Sequence, residues 1–337
     1  MPTVPTAAPT PTPHPDPTRR YAFFGPVGTF SEAALRTVVP VGTAPADPYP
    51  SVDATIAAVR AGRADVGVVP IENSVEGGVS ATLDGLAAGD PLLVVGEVVI
   101  PVTFVLAARP GTTLADVGVV STHSHGYAQV RRWLAQHLPG ARYVPSLSTA
   151  SAAAGLAQAA ADGTGAGYDA AVCAPVAAER FGLQVLAEDI GDNRGAVTRF
   201  VLLARPAGDD GRVVLPAPTG ADRTSLVAFL RTDHPGALVE VLEQFVTRGV
   251  NLSRIESRPT GDALGRYCFS IDCEGHVAEA RVGEALMGLH RVCEQVRFLG
   301  SYPRADGRPA LPGSGPDEDA FAAAEGWLRR VRAGRAG

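Results

Sequence analysis

Short apolar runs alternate with alanine-rich helical patterns from Tyr21 to about Arg205. Because such alternation is typical of strands joined by helices, it predicts an α/β fold with mostly parallel sheets. The predicted strands are Tyr21–Phe24, Val66–Val69, Leu92–Leu106, Val117–Val120, Arg142–Val144, Ala170–Cys173, Gln184–Leu186 and Thr198–Leu203. The predicted helices are Phe30–Val38, Val52–Ala61, Ser80–Ala88, Tyr127–Leu138, Ala150–Ala161 and Val176–Phe181.

The apolar run that begins at Leu92 is too long for one ordinary strand, and Pro101 interrupts it. We expect the chain to leave one sheet there, enter a second sheet, and return near residues 188–198. Two such crossings predict two lobes with a cleft between them, which is a common place for a ligand.

A second pattern follows residues 206–222, a stretch rich in glycine, proline and aspartate that we interpret as a linker. Residues 223–303 predict the order βαββαβ, the ferredoxin-like arrangement. Its predicted elements are Ser225–Arg231, Gly236–Thr247, Ser253–Ser257, Tyr267–Asp272, Val277–Cys293 and Gln295–Leu299. Residues 304–337 predict a flexible tail with a possible short helix at Asp317–Arg330.

The amino-acid composition excludes several classes of function. The formal charge is 29 − 35 = −6, so no overall basic field attracts nucleic acid. The chain contains no lysine, which excludes a lysine Schiff base and a phosphate-binding loop of the Gly-Lys-Ser/Thr type. Residues 1–20 are rich in proline and lack the apolar core of a signal peptide, so we expect a disordered tail.

The four cysteines have no Cys-x-x-Cys spacing, which gives little support to a zinc or redox site. We expect free thiols in a reducing compartment, and therefore a cytoplasmic protein that uses no metal.

Two polar segments open predicted helices. Gly25-Pro26-Val27-Gly28-Thr29-Phe30-Ser31 follows a strand, and Ser148-Thr149 precedes another helix. Amide groups at a helix start favour anions, whereas the simpler interpretation is that Thr29, Ser31 or Ser148 caps its helix. The residues alone leave both interpretations open.

Other polar segments follow strands. Glu72, Asn73 and Ser74 come at the carboxyl end of a buried-looking strand, where open α/β sheets bind ligands. Thr122-His123-Ser124-His125 follows another strand and precedes Gln129; we give Thr122 and Gln129 more weight than the histidines. Thr198 and Arg199 lie where the chain should return to the first lobe, and an arginine there could bind a carboxylate.

Taken in order, these segments resemble the prephenate dehydratase family from Gly25 to about Pro303. The resemblance implies a two-lobed catalytic domain of the type II periplasmic-binding-protein fold at residues 21–205. It also implies an ACT regulatory domain at residues 223–303, in which Gly236-Ala237-Leu238-Val239 and Glu256-Ser257-Arg258-Pro259 bind phenylalanine. No cofactor is implied.

The resemblance also implies roles for individual residues, with Thr198 as the essential catalytic hydroxyl. The implied catalytic group is Thr198, Asn73, Glu72, Gln129 and Thr122. The implied substrate-binding group is Thr29, Ser31, Ser74, Ser148, Thr149, Arg199 and Phe200. The expected partners are prephenate, phenylalanine as effector, and further copies of the chain in a homodimer or homotetramer, with no nucleic acid and no membrane.

One departure affects the choice of reaction. The family usually has Ser-His-Pro-Gln where this chain has Thr122-His123-Ser124-His125. Three alternatives therefore stay open: an arogenate dehydratase, a prephenate decarboxylase that leaves the ring hydroxyl in place, and a non-catalytic amino-acid sensor.

Overall fold

The structure is a computed structural model that describes residues 16–206, 215–261, 266–310 and 317–335. Its contacts divide these residues into two compact units. The N-terminal unit contains residues 16–82 and Val98–Val201, and the C-terminal unit contains Leu83–Glu97 and the described residues from Leu202 onward. Residues 1–15 of the predicted tail 1–20, and parts of the predicted segments 206–222 and 304–337, lie outside the described residues.

The strands and helices follow the predicted alternation closely. The strands are β1 (Tyr21–Phe24), β2 (Ala46–Tyr49), β3 (Val66–Asn73), β4 (Gly77–Gly78), β5 (Leu93–Pro101), β6 (Val105–Ala108), β7 (Val119–Thr122), β8 (Arg142–Pro145), β9 (Ala170–Cys173), β10 (Gln184–Ala187), β11 (Val197–Ala204), β12 (Asp222–Phe229), β13 (Leu252–Pro259), β14 (Tyr267–Glu274) and β15 (Gln295–Pro303). The helices are α1 (Phe30–Val38), α2 (Val52–Arg60), α3 (Ser80–Ala87), α4 (Ser124–His137), α5 (Thr149–Ala161), α6 (Pro175–Arg180), α7 (Ala237–Val246), α8 (Ala280–Val292) and α9 (Glu318–Arg332).

Three sheets organise these elements. The first has the strand order β2-β1-β3-β11-β5, with β4 paired to β3, and the second has the order β10-β6-β9-β7-β8. Each belongs to one lobe, so the predicted two-lobed α/β fold is confirmed. The third sheet, β13-β14-β12-β15, is antiparallel and carries α7 and α8 in the order βαββαβ, which confirms the ferredoxin-like arrangement.

The break at Pro101 is also confirmed, because β5 ends at that residue and β6 begins at Val105 in the second sheet. Along β6 and the residue before it, successive side chains enter different cores. Phe104 and Leu106 pack on the face covered by α4, whereas Val105 and Ala107 pack on the face covered by α5. This alternation is expected of a central strand buried on both faces.

Two strands escaped the sequence analysis, β2 and the two-residue strand β4. β2 pairs in parallel with β1 at the edge of the first sheet and contains Pro48. Its residues are mostly exposed, so no apolar pattern marks it. Proline is tolerated there because an edge strand has one side without a partner.

Polar side chains set where the helices of the N-terminal unit begin. Thr29 Oγ1 accepts the Glu32 amide at the start of α1, and Ser148 Oγ accepts the Ser151 amide at the start of α5. His123 Nδ1 accepts the His125 amide, so α4 starts three residues earlier than its apolar pattern predicts. The capping interpretation of Thr29 and Ser148 is thus confirmed.

Three arginines of the third sheet bind the segment Leu83–Glu97, which runs from α3 into β5 and belongs to the C-terminal unit. Arg258 forms a two-pronged pair with Asp84, at 2.9 and 2.7 Å. Arg297 donates to carbonyl oxygens at the end of α3, and Arg223 pairs with the buried carboxylate of Glu97. The segment therefore packs as part of the same unit as the βαββαβ sheet.

Candidate active site

A cleft of about 380 Å³ opens between the two lobes of the N-terminal unit. Eight predicted site residues line it, and both sheets contribute to them. They are Thr29, Ser31, Asn73, Gln129, Ser148, Thr149, Thr198 and Phe200. Phe24, Phe104 and Val102 add apolar wall between these polar groups.

Three helices begin at the cleft. The first residues of α1, α4 and α5 or their caps all line it, namely Thr29 and Phe30, His123 and His125, and Ser148 and Thr149. The first amides of a helix have no acceptor within the helix and carry the positive end of its dipole. Three helix starts that face one cavity make it suited to an anion with more than one charged group.

Thr198 and Asn73 meet at the floor of the cleft. The Asn73 side-chain amide donates to Thr198 Oγ1 over 2.8 Å, while Asn73 Oδ1 accepts the amides of Val75 and Glu76. Those two backbone bonds fix which end of the amide faces Thr198. Because Thr198 accepts from Asn73, its own proton is available to a group in the cleft.

Four predicted site residues lie outside the lining of this cleft. Arg199 is buried, with its guanidinium 3.5 Å from the Glu72 carboxylate. It follows Thr198 on β11, and successive residues of a strand face opposite sides of the sheet. Thr122 donates to the Val172 carbonyl, and Ser74 Oγ accepts the Val197 amide. The last two bonds hold strand ends next to the cleft.

The cleft also contains polar residues that the sequence analysis ranked low or missed. His123 and His125 line it, as does Glu76 from the turn between β3 and β4. His125 Nδ1 lies 3.0 Å from both carboxylate oxygens of Glu76, so the pair joins the two lobes at the rim. The position of the histidines between a strand and a helix was the signal available in the sequence.

Positive charge in the cleft comes from backbone rather than from side chains. Among the described residues that line it, none is an arginine. Within the described part of the chain, no group of three or more histidine, cysteine or acidic side chains could hold a metal ion. No helix of that part has the length and apolar character that crossing a bilayer requires.

A second cavity, of about 240 Å³, lies in the C-terminal unit. Five of the eight residues predicted to bind an effector line it, namely Gly236, Ala237, Leu238, Val239 and Ser257. Gly236 precedes α7 with φ of +97°, a conformation that glycine adopts without strain. Glu256, Arg258 and Pro259 are on the adjoining strand β13 outside the lining.

A two-lobed cleft with helix starts and a buried hydroxyl, followed by a ferredoxin-like sheet, defines a class of anion-binding α/β enzymes with a separate regulatory fold. The family model and the curated relative reported below carry the same family name. The family model described as "Prephenate dehydratase" matches residues 21–208. A prephenate dehydratase from Amycolatopsis methanolica is 47% identical over 94% of this chain and 98% of its own length.

Solved structures show the same relationship. A prephenate dehydratase from Arthrobacter aurescens, in complex with L-Phe, is 53% identical with a TM-score of 0.85, covering 93% of this chain and 99% of its own. GqqA, described as a novel type of quorum quenching acylase, is 32% identical with a TM-score of 0.72, covering 85% of this chain and 98% of its own. This chain belongs to the prephenate dehydratase family.

Proposed function

We propose that this protein converts prephenate into phenylpyruvate, carbon dioxide and water for phenylalanine synthesis. The hydrogen bond from Asn73 to Thr198 in the cleft supports the proposal most directly, because it leaves one polarised hydroxyl proton for the reaction. Membership of the family and the similarity to the Amycolatopsis and Arthrobacter enzymes support it independently.

Prephenate carries two carboxylates and a ring hydroxyl. In the proposed complex, the amides at the starts of α1 and α5 receive the pyruvyl carboxylate, and Gln129 and Asn73 orient the ring. Phe200 and Phe104 provide apolar surface for the ring. The ring carboxylate, which must lose its charge as carbon dioxide, is best placed against such apolar wall, where water cannot stabilise it.

The reaction breaks two bonds of the ring. The bond to the carboxylate breaks and its electrons enter the ring, while the bond to the hydroxyl breaks on the other side. Thr198 donates its proton toward the departing hydroxide, which leaves as water, and solvent restores the threonine proton. Because the ring becomes aromatic, the step is strongly downhill and needs no cofactor.

Regulation by phenylalanine is the second part of the proposal. The Arthrobacter relative was solved with L-Phe, and the cavity beside Gly236 in this chain has apolar side chains in its lining, among them Leu238, Val239 and Phe269. Leu238 and Val239 at its edge are 40% and 54% exposed, which leaves an apolar surface for a second copy of the chain. We therefore propose a cytoplasmic homodimer or homotetramer in which phenylalanine binds near the interface and inhibits turnover.

One assay separates these possibilities. Purified protein is given prephenate, and phenylpyruvate is followed in alkali with and without phenylalanine. Phenylpyruvate that falls when phenylalanine is added is the expected result. Prephenate loss without phenylpyruvate would indicate the decarboxylase, and turnover of arogenate alone would indicate arogenate dehydratase. Binding of phenylalanine without any turnover would indicate the sensor.

A further inference from the structure

Glu32, in the first turn of α1, is a buried carboxylate that the proposed reaction does not use. Its side chain is only 9% exposed. It accepts the Gly28 amide, and its Oε1 atom lies 3.0 Å from both Arg36 Nη2 and Arg180 Nη1. A carboxylate so far from water stays charged only when several donors surround it.

The three donors come from different parts of the N-terminal unit. Gly28 belongs to the turn before α1, and Arg36 lies one turn further along the same helix. Arg180 is the last residue of α6, which follows β9 of the second sheet. The pair between Glu32 and Arg36 is therefore internal to α1, whereas the pair between Glu32 and Arg180 joins the two lobes. Arg36 also lies 3.6 Å from the exposed carboxylate of Glu179 on α6.

Packing at Gly28 reinforces this junction. Gly28 has φ of +85°, and a Cβ atom there would lie 3.1 Å from Ala177 and 3.2 Å from Phe181. The turn before α1 therefore packs directly on α6 and on Phe181, the residue that follows α6. The ion pair and the close packing therefore act at the same place, the turn that precedes α1.

The start of α1 is the part that this junction holds. Thr29, Phe30 and Ser31 line the cleft, and the amides of Phe30 and Ser31 belong to the first turn, where helices lack internal acceptors. A carboxylate in that turn would by itself repel an anionic ligand. Arg36 and Arg180 offset this charge. Because Glu32→Gln and Arg180→Ala change the local charge in opposite directions, only the loss of the connection to α6 would raise KM in both.

We propose that Glu32 is a positioning residue for the reaction. Its carboxylate ties the Gly28 turn to Arg180 of the second lobe and so fixes the α1 amides that receive one carboxylate of the substrate. The inference rests on the proposed function for its substrate, but the tether itself is a property of the ligand-free protein. It adds to substrate binding and takes no part in bond breaking.

The test compares Glu32→Gln and Arg180→Ala with Glu179→Gln, which removes only the exposed pair between Arg36 and α6. We expect Glu32→Gln and Arg180→Ala to raise KM for prephenate about tenfold with kcat changed less than about threefold. Glu179→Gln should leave KM nearly unchanged, and Arg180→Lys, which keeps the charge, should restore most of the affinity. A merely structural pair would lower Tm and leave KM unchanged.

Hydrogen exchange in the protein without substrate gives a second readout. Amides of residues 25–31 should exchange faster in Glu32→Gln and Arg180→Ala than in the parent protein or Glu179→Gln. Wild-type KM and unchanged exchange in both variants would overturn the inference. Should Glu32→Gln not fold, the Arg180 variants on the partly exposed end of α6 decide the question. A parent protein that does not turn over prephenate would refute the proposed function, while the exchange data would still test the tether.

Discussion

The side-chain amide of Asn73 donates to the hydroxyl oxygen of Thr198 over 2.8 Å, across 125 residues of sequence. Asn73 is itself held by the backbone amides of Val75 and Glu76. The turn after β3 therefore sets the direction of the threonine proton. The role proposed for Thr198 depends on that direction, because a threonine hydroxyl is too weak an acid to act without a polarising neighbour.

Removing the Thr198 hydroxyl should affect turnover far more than binding. We expect Thr198→Val, which keeps the shape, to lower kcat about 10²- to 10⁴-fold with KM nearly unchanged. Thr198→Ser keeps a hydroxyl and should retain much of the activity. Steady-state kinetics with prephenate provide the measurement, and a near-normal kcat in Thr198→Val would contradict the assignment.

Changing Asn73 to aspartate tests the direction of the proton. The new carboxylate can only accept, so it would take the Thr198 proton away from the substrate and also repel an anion. We expect Asn73→Asp to lower kcat about 10²-fold and to raise KM. Asn73→Ala is the comparison, since it removes the bond without adding charge. Equal KM values for the two variants would count against an anionic substrate at this place.

Gly28 and Gly42 form a matched pair for testing the junction with α6. Both have positive φ, +85° and +78°, but only Gly28 has atoms within contact of an added Cβ. Each alanine substitution should cost about 1–2 kcal/mol through the backbone conformation. Gly28→Ala should cost more and also raise KM, whereas Gly42→Ala should leave KM unchanged. Thermal unfolding and kinetics of both variants check this.

Asp84 offers a test of communication with the effector cavity. Donation of two hydrogen bonds to Asp84 raises the pKa of the Arg258 guanidinium, which stays charged and holds α3. We expect Asp84→Asn to keep basal turnover and to weaken inhibition by phenylalanine about three- to tenfold. Glu294→Gln is the control, because it breaks an exposed ion pair with Arg266 in the same sheet. Similar inhibition curves for the parent and Asp84→Asn would refute the coupling.

Two buried cysteines should make the free energy of unfolding depend on pH. Burial raises the pKa of Cys173 and of Cys273 to about 12, from an ordinary value near 9. In the unfolded chain these thiols ionise near pH 9, whereas in the folded protein they stay protonated. The folded state therefore binds more protons above pH 9, and the free energy of unfolding should fall as pH rises from about 9 toward 12.

Thiol labelling checks the same residues at constant pH. At pH 8 all four cysteines are buried, so a thiol reagent should react slowly with the native protein and rapidly after unfolding. Fast labelling of Cys173 in the native state would show that β9 opens readily.

The sequence allowed the fold to be predicted well because apolar periodicity marks buried strands and helices. The prediction missed β2, because the exposed residues of this strand and Pro48 show no such pattern. In the site, the local sequence identified Thr198 and Asn73 but not their contact, since pairing across 125 residues is decided by the sheet. Thr198 and Arg199 were grouped together, although alternation along a strand places only Thr198 at the cleft.

The role of the histidines could not be predicted, because it depends on contacts that are distant in sequence. A polar turn and a cleft rim have the same local sequence, and only the packing of the second lobe brings His125 to Glu76. The caps of α1 and α5 were predictable because capping is a local interaction between residues three apart.

The three arginines that hold Asp84, Glu97 and the end of α3 have a genetic consequence. A premature stop codon after residue 205 would remove all three and leave the buried Glu97 carboxylate without Arg223. Such a chain would be destabilised at the segment between α3 and β5, rather than released from control. Selection for growth on toxic phenylalanine analogues should therefore recover point substitutions, and nonsense mutations between codons 206 and 297, which remove one or more of these arginines, should be absent.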